Sequence, residues 1–234
     1  MITFASNGGT DQGYLATPAS GDGPGVVVIQ EWWGLVPHIA DVCDRFAAEG
    51  FVALAPDLYR GLTAAEPDEA QKAMMGMRLD QAGKDMSGAV DEVARRSAGP
   101  KDGVARPSAG PKVGVVGYCM GGGLALVLGC QRPDRVAAVV PYYGLIPWPN
   151  AAPDYSAMTA AVQGHYAAED DFAGPEKARE LERALTGLGK QAEVFIYPDT
   201  HHGFFNDARP AQHSAEASAL AWGRTVAFLR STLE

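Results

Sequence analysis

The sequence places a thiol at the point where an apolar run gives way to a glycine-rich stretch. The segment GYCMG at positions 117–121 has the pattern of a nucleophile elbow, with cysteine at its centre. Glycine two residues before and after the nucleophile lets such a sharp turn pack closely. A helix N-terminus favours the thiolate form of a cysteine. We therefore predict Cys119 as a nucleophile, and the alternative is a buried structural cysteine at a helix start.

A nucleophile needs a base, and the base needs a group that orients it. The sequence offers His202, with His201 as its rival, after the last predicted strand. Asp170, between Glu169 and Asp171, follows the preceding strand. The order cysteine, acid, histidine is one that carbonyl-attacking hydrolases use. We predict His202 as the base and Asp170 as the acid that orients it. The alternative is that the three consecutive acidic residues simply form a solvated loop without a catalytic role.

The segment QEWWG at positions 30–34 follows another predicted strand, whose apolar residues are typical of a strand in the interior of a sheet. Its side chains should therefore reach the same edge of the sheet as the elbow. Glu31 is a candidate partner for the thiol, although helix capping or pairing with a basic residue would fit as well. The backbone N–H groups of Met120 and Trp32 are predicted to form an oxyanion hole.

Several aromatic residues follow predicted strands and are candidates for the wall of a substrate pocket, with ordinary core packing as the alternative. They are Trp32, Trp33, Tyr142, Tyr143 and Trp148. The remaining histidines lack metal-ligand spacing, and the sequence contains no HExxH or CxxC pattern. We expect neither a metal nor another cofactor.

Short β-branched runs alternate with helix-period stretches, which predicts an α/β fold with a mostly parallel sheet and helices on both faces. The predicted strands are Val26–Gln30, Phe51–Ala55, Val113–Gly117, Arg135–Val140, Val162–Ala167 and Glu193–Tyr197, with antiparallel edge strands possible before them. The predicted helices cover the stretch from Pro37 to Gly50, Glu66–Arg96, Cys119–Leu128, Pro175–Leu188 and Gln212–Leu233.

Length and composition favour one α/β domain over residues 1–234. Hydrophobic residues make up 47% of the chain and charged residues 20%, which excludes whole-chain disorder. The net charge of −9 argues against nucleic acid as a partner. No membrane-length apolar run or secretion signal is evident, so we expect a cytoplasmic protein, and we also expect a monomer. The duplicated SAGPK at 97–101 and 108–112 is interpreted as a surface loop.

Five segments together resemble the dienelactone hydrolase family of α/β-hydrolases, and the resemblance runs over nearly the whole chain. It implies that Cys119 is the nucleophile and that Glu31 helps to generate the thiolate. The segments are QEWWG (30–34), PDLYRG (56–61), GYCMGG (117–122), the acidic segment 169–171 and HHGFFND (201–207).

The resemblance also selects between neighbouring candidates. The family motif places the acid three residues after the small residue that ends its strand, here Ala167, which favours Asp170 over Asp171. It places the histidine directly before Gly-Phe, which favours His202 over His201.

The sequence departs from the family pattern where substrate binds. Members that open chlorocatechol-derived lactones hold the substrate carboxylate with two arginines. Asn206 occupies the position of the second, four residues past the histidine, and Arg78 lies in the general region of the first. We expect Asn206 to border the substrate, with Arg60 and Arg209 as candidate replacements for the missing cation.

The sequence thus predicts a cofactor-free hydrolase of small-molecule esters or lactones that acts through a Cys-His-Asp triad and an acyl-enzyme. A general carboxylesterase or thioesterase with the same triad is the alternative among enzymes. A non-catalytic thiol redox sensor is the alternative from another class.

Overall fold

The computed structural model describes residues 1–6, 8–97, 110–144 and 146–234. These residues form an eight-stranded sheet in the order β1-β2-β4-β3-β5-β6-β7-β8. The strands are β1 (Ile2–Ser6), β2 (Gly9–Ala16), β3 (Gly25–Ile29), β4 (Val52–Pro56), β5 (Val113–Tyr118), β6 (Val136–Tyr142), β7 (Ala161–Glu169) and β8 (Ala192–His201).

The sheet is parallel from β4 across to β8, whereas β1 and β2 pair antiparallel at one edge. Every residue of β3, β4 and β5 is buried. Consecutive buried residues require both faces of the sheet to be covered, as in an α/β fold. The predicted α/β architecture and its antiparallel edge are therefore confirmed, and each predicted strand is present within a few residues of its expected bounds.

Helices connect the strands and supply the covering layers. They are α1 (Pro37–Ala48), α2 (Pro67–Gly76), α3 (Leu79–Ser97), α4 (Met120–Gln131), α5 (Pro175–Gly187) and α6 (Ala215–Leu233). Among the described residues, no helix has both the length and the apolar character needed to cross a membrane. Most of the duplicated SAGPK segment, at 98–109, lies outside the described residues.

One predicted helix, Glu66–Arg96, is wrong as a single element. The structure has two helices there, α2 and α3, because Met77 adopts an extended backbone with φ −65° and ψ 133°. Gly76 directly precedes this break, and glycine is a poor helix former. Of the ten described residues of α2, only Ala70 is buried, so this helix is lightly anchored to the core.

A carboxylate is buried beneath the antiparallel edge of the sheet. Asp11 on β2 is 4% exposed, and its Oδ2 has no hydrogen-bond partner among the described residues. Burial raises the pKa of Asp11 to about 6, helped by the charges of Asp85 and Asp57 and opposed by the Gln12 backbone and Arg60. The charged form of Asp11 is therefore unfavourable in the folded protein.

Asp11→Asn is expected to increase stability at neutral pH. The unfolded aspartate has a pKa of 3.8, so the wild type loses stability as the pH rises from about 4 through about 6. Asparagine has no such ionisation, and we expect a gain of about 1–2 kcal/mol at neutral pH that disappears near pH 4. Thermal unfolding at both pH values measures the gain, with Glu193→Gln at an exposed position as the control. An equal effect at both pH values would contradict the prediction.

Candidate active site

The turn between β5 and α4 holds the thiol in a backbone conformation that few residues adopt. Cys119 has φ 56° and ψ −123°, and its thiol is largely buried, with 8% of the residue exposed. Positive φ is uncommon outside glycine and is typical of residues held at functional sites. This is the backbone geometry expected of a nucleophile elbow.

Glycines around Cys119 allow three backbone segments to meet. A Cβ on Gly117 would lie 1.9 Å from the carbonyl oxygen of Gly121, and a Cβ on Gly121 would lie 2.4 Å from that of Gln30. A Cβ on Gly122 would lie 2.7 Å from the Cα of Gly144. No larger residue fits at these positions without moving backbone, which explains the glycine spacing in the sequence.

His202 joins Cys119 to Asp170. Its Nδ1 lies 2.7 Å from Oδ2 of Asp170, and the ring also interacts with the Cys119 side chain. Burial tends to lower the pKa of His202, but these two partners raise it well above the usual value. The two partners therefore favour the protonated form of His202.

The loop after β7 fixes the Asp170 carboxylate. Its Oδ1 accepts hydrogen bonds from the backbone N–H groups of Phe172 and Ala173, at 2.8 and 2.9 Å. Burial tends to raise the pKa of Asp170, but the hydrogen bond with His202 and these two N–H groups lower it overall. The carboxylate is thus held ionised and aimed at the histidine.

The rival residues line the same cavity but make different contacts. His201 is exposed and contacts Glu169, with Nδ1 3.3 Å from its carbonyl oxygen and 3.7 Å from its carboxylate. Asp171 is exposed at the rim of the cavity. The structure brings Cys119, His202 and Asp170 together and leaves His201 and Asp171 outside this chain of contacts.

Glu31 is held by two donors in the floor of the cavity. It is 3% exposed and accepts hydrogen bonds from the Tyr143 hydroxyl at 3.1 Å and from Nδ2 of Asn206 at 2.5 Å. The sequence did not predict Tyr143 as a partner of Glu31, because nothing in it tells which tyrosine of a consecutive pair approaches that carboxylate. Asn206 lines the cavity and also anchors Glu31.

The two predicted oxyanion-hole residues border the thiol. Met120 is the first residue of α4, where backbone N–H groups have no acceptor within the helix. Trp32 lies in the loop after β3 and lines the same cavity as Cys119.

The cavity around Cys119 has a volume of about 580 Å³. Arg209 is the one lysine or arginine among the described residues that line it. Its guanidinium lies 3.6 Å from the centroid of the Trp33 ring. The apolar part of the lining consists of Trp32, Trp33, Pro67, Met74, Pro147 and Phe172.

Tyr142 does not line this cavity, which corrects its prediction as a substrate-binding residue. It is fully buried in the core, and its hydroxyl lies 2.7 Å from the Thr225 hydroxyl on α6. Side chains alternate at the end of β6, so Tyr142 faces the core and Tyr143 points towards Glu31. Tyr143 and Trp148, two other aromatic candidates, are likewise buried and do not line the cavity.

The other candidate arginines lie in a different cavity, of about 680 Å³, between α2 and the β1–β2 edge. Arg60 forms a 2.8 Å ion pair with the buried carboxylate of Asp85. Arg78 pairs with Asp80 at 2.9 Å on the surface. Neither replaces the missing cation near Cys119. Among the described residues, no group of three or more His, Cys, Asp or Glu side chains is arranged to hold a metal ion.

Comparisons with known proteins agree with this architecture. "Protein usf" of Aquifex pyrophilus is 36% identical over 240 residues, covering 100% of this chain and 98% of that protein. A candidate carboxymethylenebutenolidase of Aquifex aeolicus is 32% identical and covers 100% and 99%. The crystal structure of a candidate dienelactone hydrolase from Klebsiella pneumoniae superimposes with a TM-score of 0.83 at 26% identity, covering 98% and 96%.

The family model described as the dienelactone hydrolase family matches residues 12–233. With that match, the full-length relatives and the shared fold, the chain belongs to the dienelactone hydrolase family of α/β-hydrolases.

Proposed function

We propose that the protein hydrolyses carboxylic esters or lactones with Cys119 as a covalent nucleophile. The observation that carries the proposal is the continuous contact from the buried Asp170 carboxylate through His202 to the Cys119 side chain. This is the arrangement that generates and orients a nucleophile in triad enzymes.

The proposed reaction begins with attack of the Cys119 thiolate on the substrate carbonyl carbon. The backbone N–H groups of Met120 and Trp32 stabilise the negative oxygen that forms. His202 gives its proton to the departing alkoxide or enolate, which leaves a thioester on Cys119. A water molecule then loses a proton to His202 and attacks the thioester, so the acid departs and the thiolate and imidazolium are restored.

A thiol nucleophile narrows the range of substrates. The tetrahedral intermediate expels the better leaving group, and a thiolate is itself expelled readily. The forward reaction is therefore efficient when the ester oxygen leaves as a weakly basic anion, such as a phenolate or an enolate. Ordinary alkyl esters are expected to react more slowly.

The part predicted for Glu31 in forming the thiolate stays a prediction. In the described hydrogen bonds its carboxylate binds Tyr143 and Asn206, while Cys119 interacts with His202. His202 is therefore the proton partner in the proposed mechanism.

Rapid mixing with a 4-nitrophenyl ester is expected to trap the acyl-enzyme. Acid quenching followed by peptide mass analysis should locate one acyl group on Cys119, formed together with a burst of 4-nitrophenolate whenever deacylation is the slower step. An uncharged lactone, dihydrocoumarin, assayed beside the aryl ester then tests lactone hydrolysis. Turnover with the acyl group on another residue would overturn the proposed nucleophile, and absence of turnover on both compounds would overturn the proposed activity.

A further inference from the structure

On the basis of the proposed ester hydrolysis, we infer that the cavity around Cys119 takes esters with an uncharged, flat apolar group and rejects esters that carry a carboxylate. Three features of the cavity support this selectivity: its charge, the engagement of its one arginine, and its apolar wall.

Carboxylates dominate the charge of the cavity. Glu31, Glu169, Asp170 and Asp171 line it, against the single guanidinium of Arg209. The pair of Cys119 and His202 adds no net charge when one proton is shared between the sulfur and the imidazole, whichever of them holds it. Glu31 and Asp170 are shielded from solvent, so salt screens their charges less than those of exposed groups. Both Glu31 oxygens act as hydrogen-bond acceptors, which is the pattern of an ionised carboxylate.

Arg209 already interacts with two other groups of the protein. Its guanidinium lies over the Trp33 ring, and its Nη2 donates a hydrogen bond to the Ala65 carbonyl at 3.1 Å. A cation–π contact and a backbone acceptor together hold the guanidinium against the wall. A substrate carboxylate could use only the N–H donors that this position leaves free, and it would lie among four other carboxylates.

The remaining wall suits a flat apolar group. Trp32 and Trp33 meet edge to face with ring centroids 5.0 Å apart. Phe172, which also lines the cavity, is 65% exposed, and its ring centroid lies 5.6 Å from that of His202. A large apolar side chain left exposed beside a reacting group is typical of a surface that a ligand covers.

Two esters of equal length test the inference. We would compare 4-nitrophenyl hexanoate with mono-4-nitrophenyl adipate, which differ by a terminal carboxylate, and subtract spontaneous hydrolysis. We expect kcat/KM for the adipate to be lower by about tenfold or more at low salt, with a smaller difference at high salt. Equal or faster hydrolysis of the adipate would overturn the selectivity while leaving the esterase activity intact. Hydrolysis of neither ester would overturn the proposed function, and the selectivity with it.

Charge-removing variants locate the effect in the cavity. Glu169→Gln/Asp171→Asn is expected to raise the adipate-to-hexanoate ratio of kcat/KM about threefold. The control Glu180→Gln/Glu193→Gln removes two charges at exposed positions away from the cavity and should leave that ratio unchanged. The same rise in both double variants, or in neither, would overturn the assignment to the cavity carboxylates.

Discussion

Cys119→Ala is expected to lower kcat/KM for a 4-nitrophenyl ester by at least about 10⁴-fold. The substitution removes the sulfur that is proposed to attack the carbonyl, while the amides of the proposed oxyanion hole and the cavity wall remain. The backbone at this position has φ 56° with cysteine, and alanine also has a Cβ, so the turn bears the same strain in both proteins. We therefore expect a thermal unfolding midpoint close to that of the wild type.

A matched cysteine variant separates nucleophilic chemistry from a general effect of losing a thiol. Cys130 lies on the same helix as the elbow, is half-buried, and does not line the cavity. Cys130→Ala should retain ester turnover within about twofold of the wild type, since substitutions away from a site have small effects. Turnover that survives in Cys119→Ala would show that another group attacks the ester.

His202→Ala should have the second largest effect, a loss of about 10³-fold in kcat/KM, because the histidine is proposed both to stabilise the thiolate and to transfer protons. Alkylation of Cys119 by iodoacetamide at neutral pH should slow in the same variant, because alanine cannot carry the positive charge that favours a neighbouring thiolate. Steady-state kinetics and alkylation followed by intact mass measure the two effects.

The neighbouring histidine provides the control. His201 is exposed and contacts Glu169 rather than Cys119, so His201→Ala should keep both rates within about threefold of the wild type. If His201→Ala were the more damaging substitution, the pairing of His202 with Cys119 would not describe the working enzyme.

Local sequence patterns predicted much of this site because its chemistry depends on short segments. The glycines at 117 and 121 could be interpreted from spacing alone, since each backbone approach forbids a side chain. The central strands could also be predicted from the sequence, because β3, β4 and β5 are buried along their whole length and consist mainly of apolar residues.

Other features depend on contacts that no short segment encodes. Tyr142 and Tyr143 are adjacent and chemically identical, and only the strand end, where Tyr143 takes a φ of 37°, decides which one reaches Glu31. The contact between Asn206 and Glu31 joins residues far apart in the sequence. The break at Met77 follows from an extended backbone that the helical pattern across it concealed.

The turn that carries Cys119 and the wall of the cavity differ in how tightly they are packed against the rest of the protein. Close backbone contacts with Gln30 and Gly144 fix the position of Cys119. Part of the wall belongs to α2, where only Ala70 of the ten described residues is buried, and to the loop that carries Phe172. Substitutions in these wall segments can reshape the cavity without moving the thiol. In evolutionary terms, reactivity and substrate preference can therefore change separately in this protein, with new specificities arising on an unaltered catalytic centre.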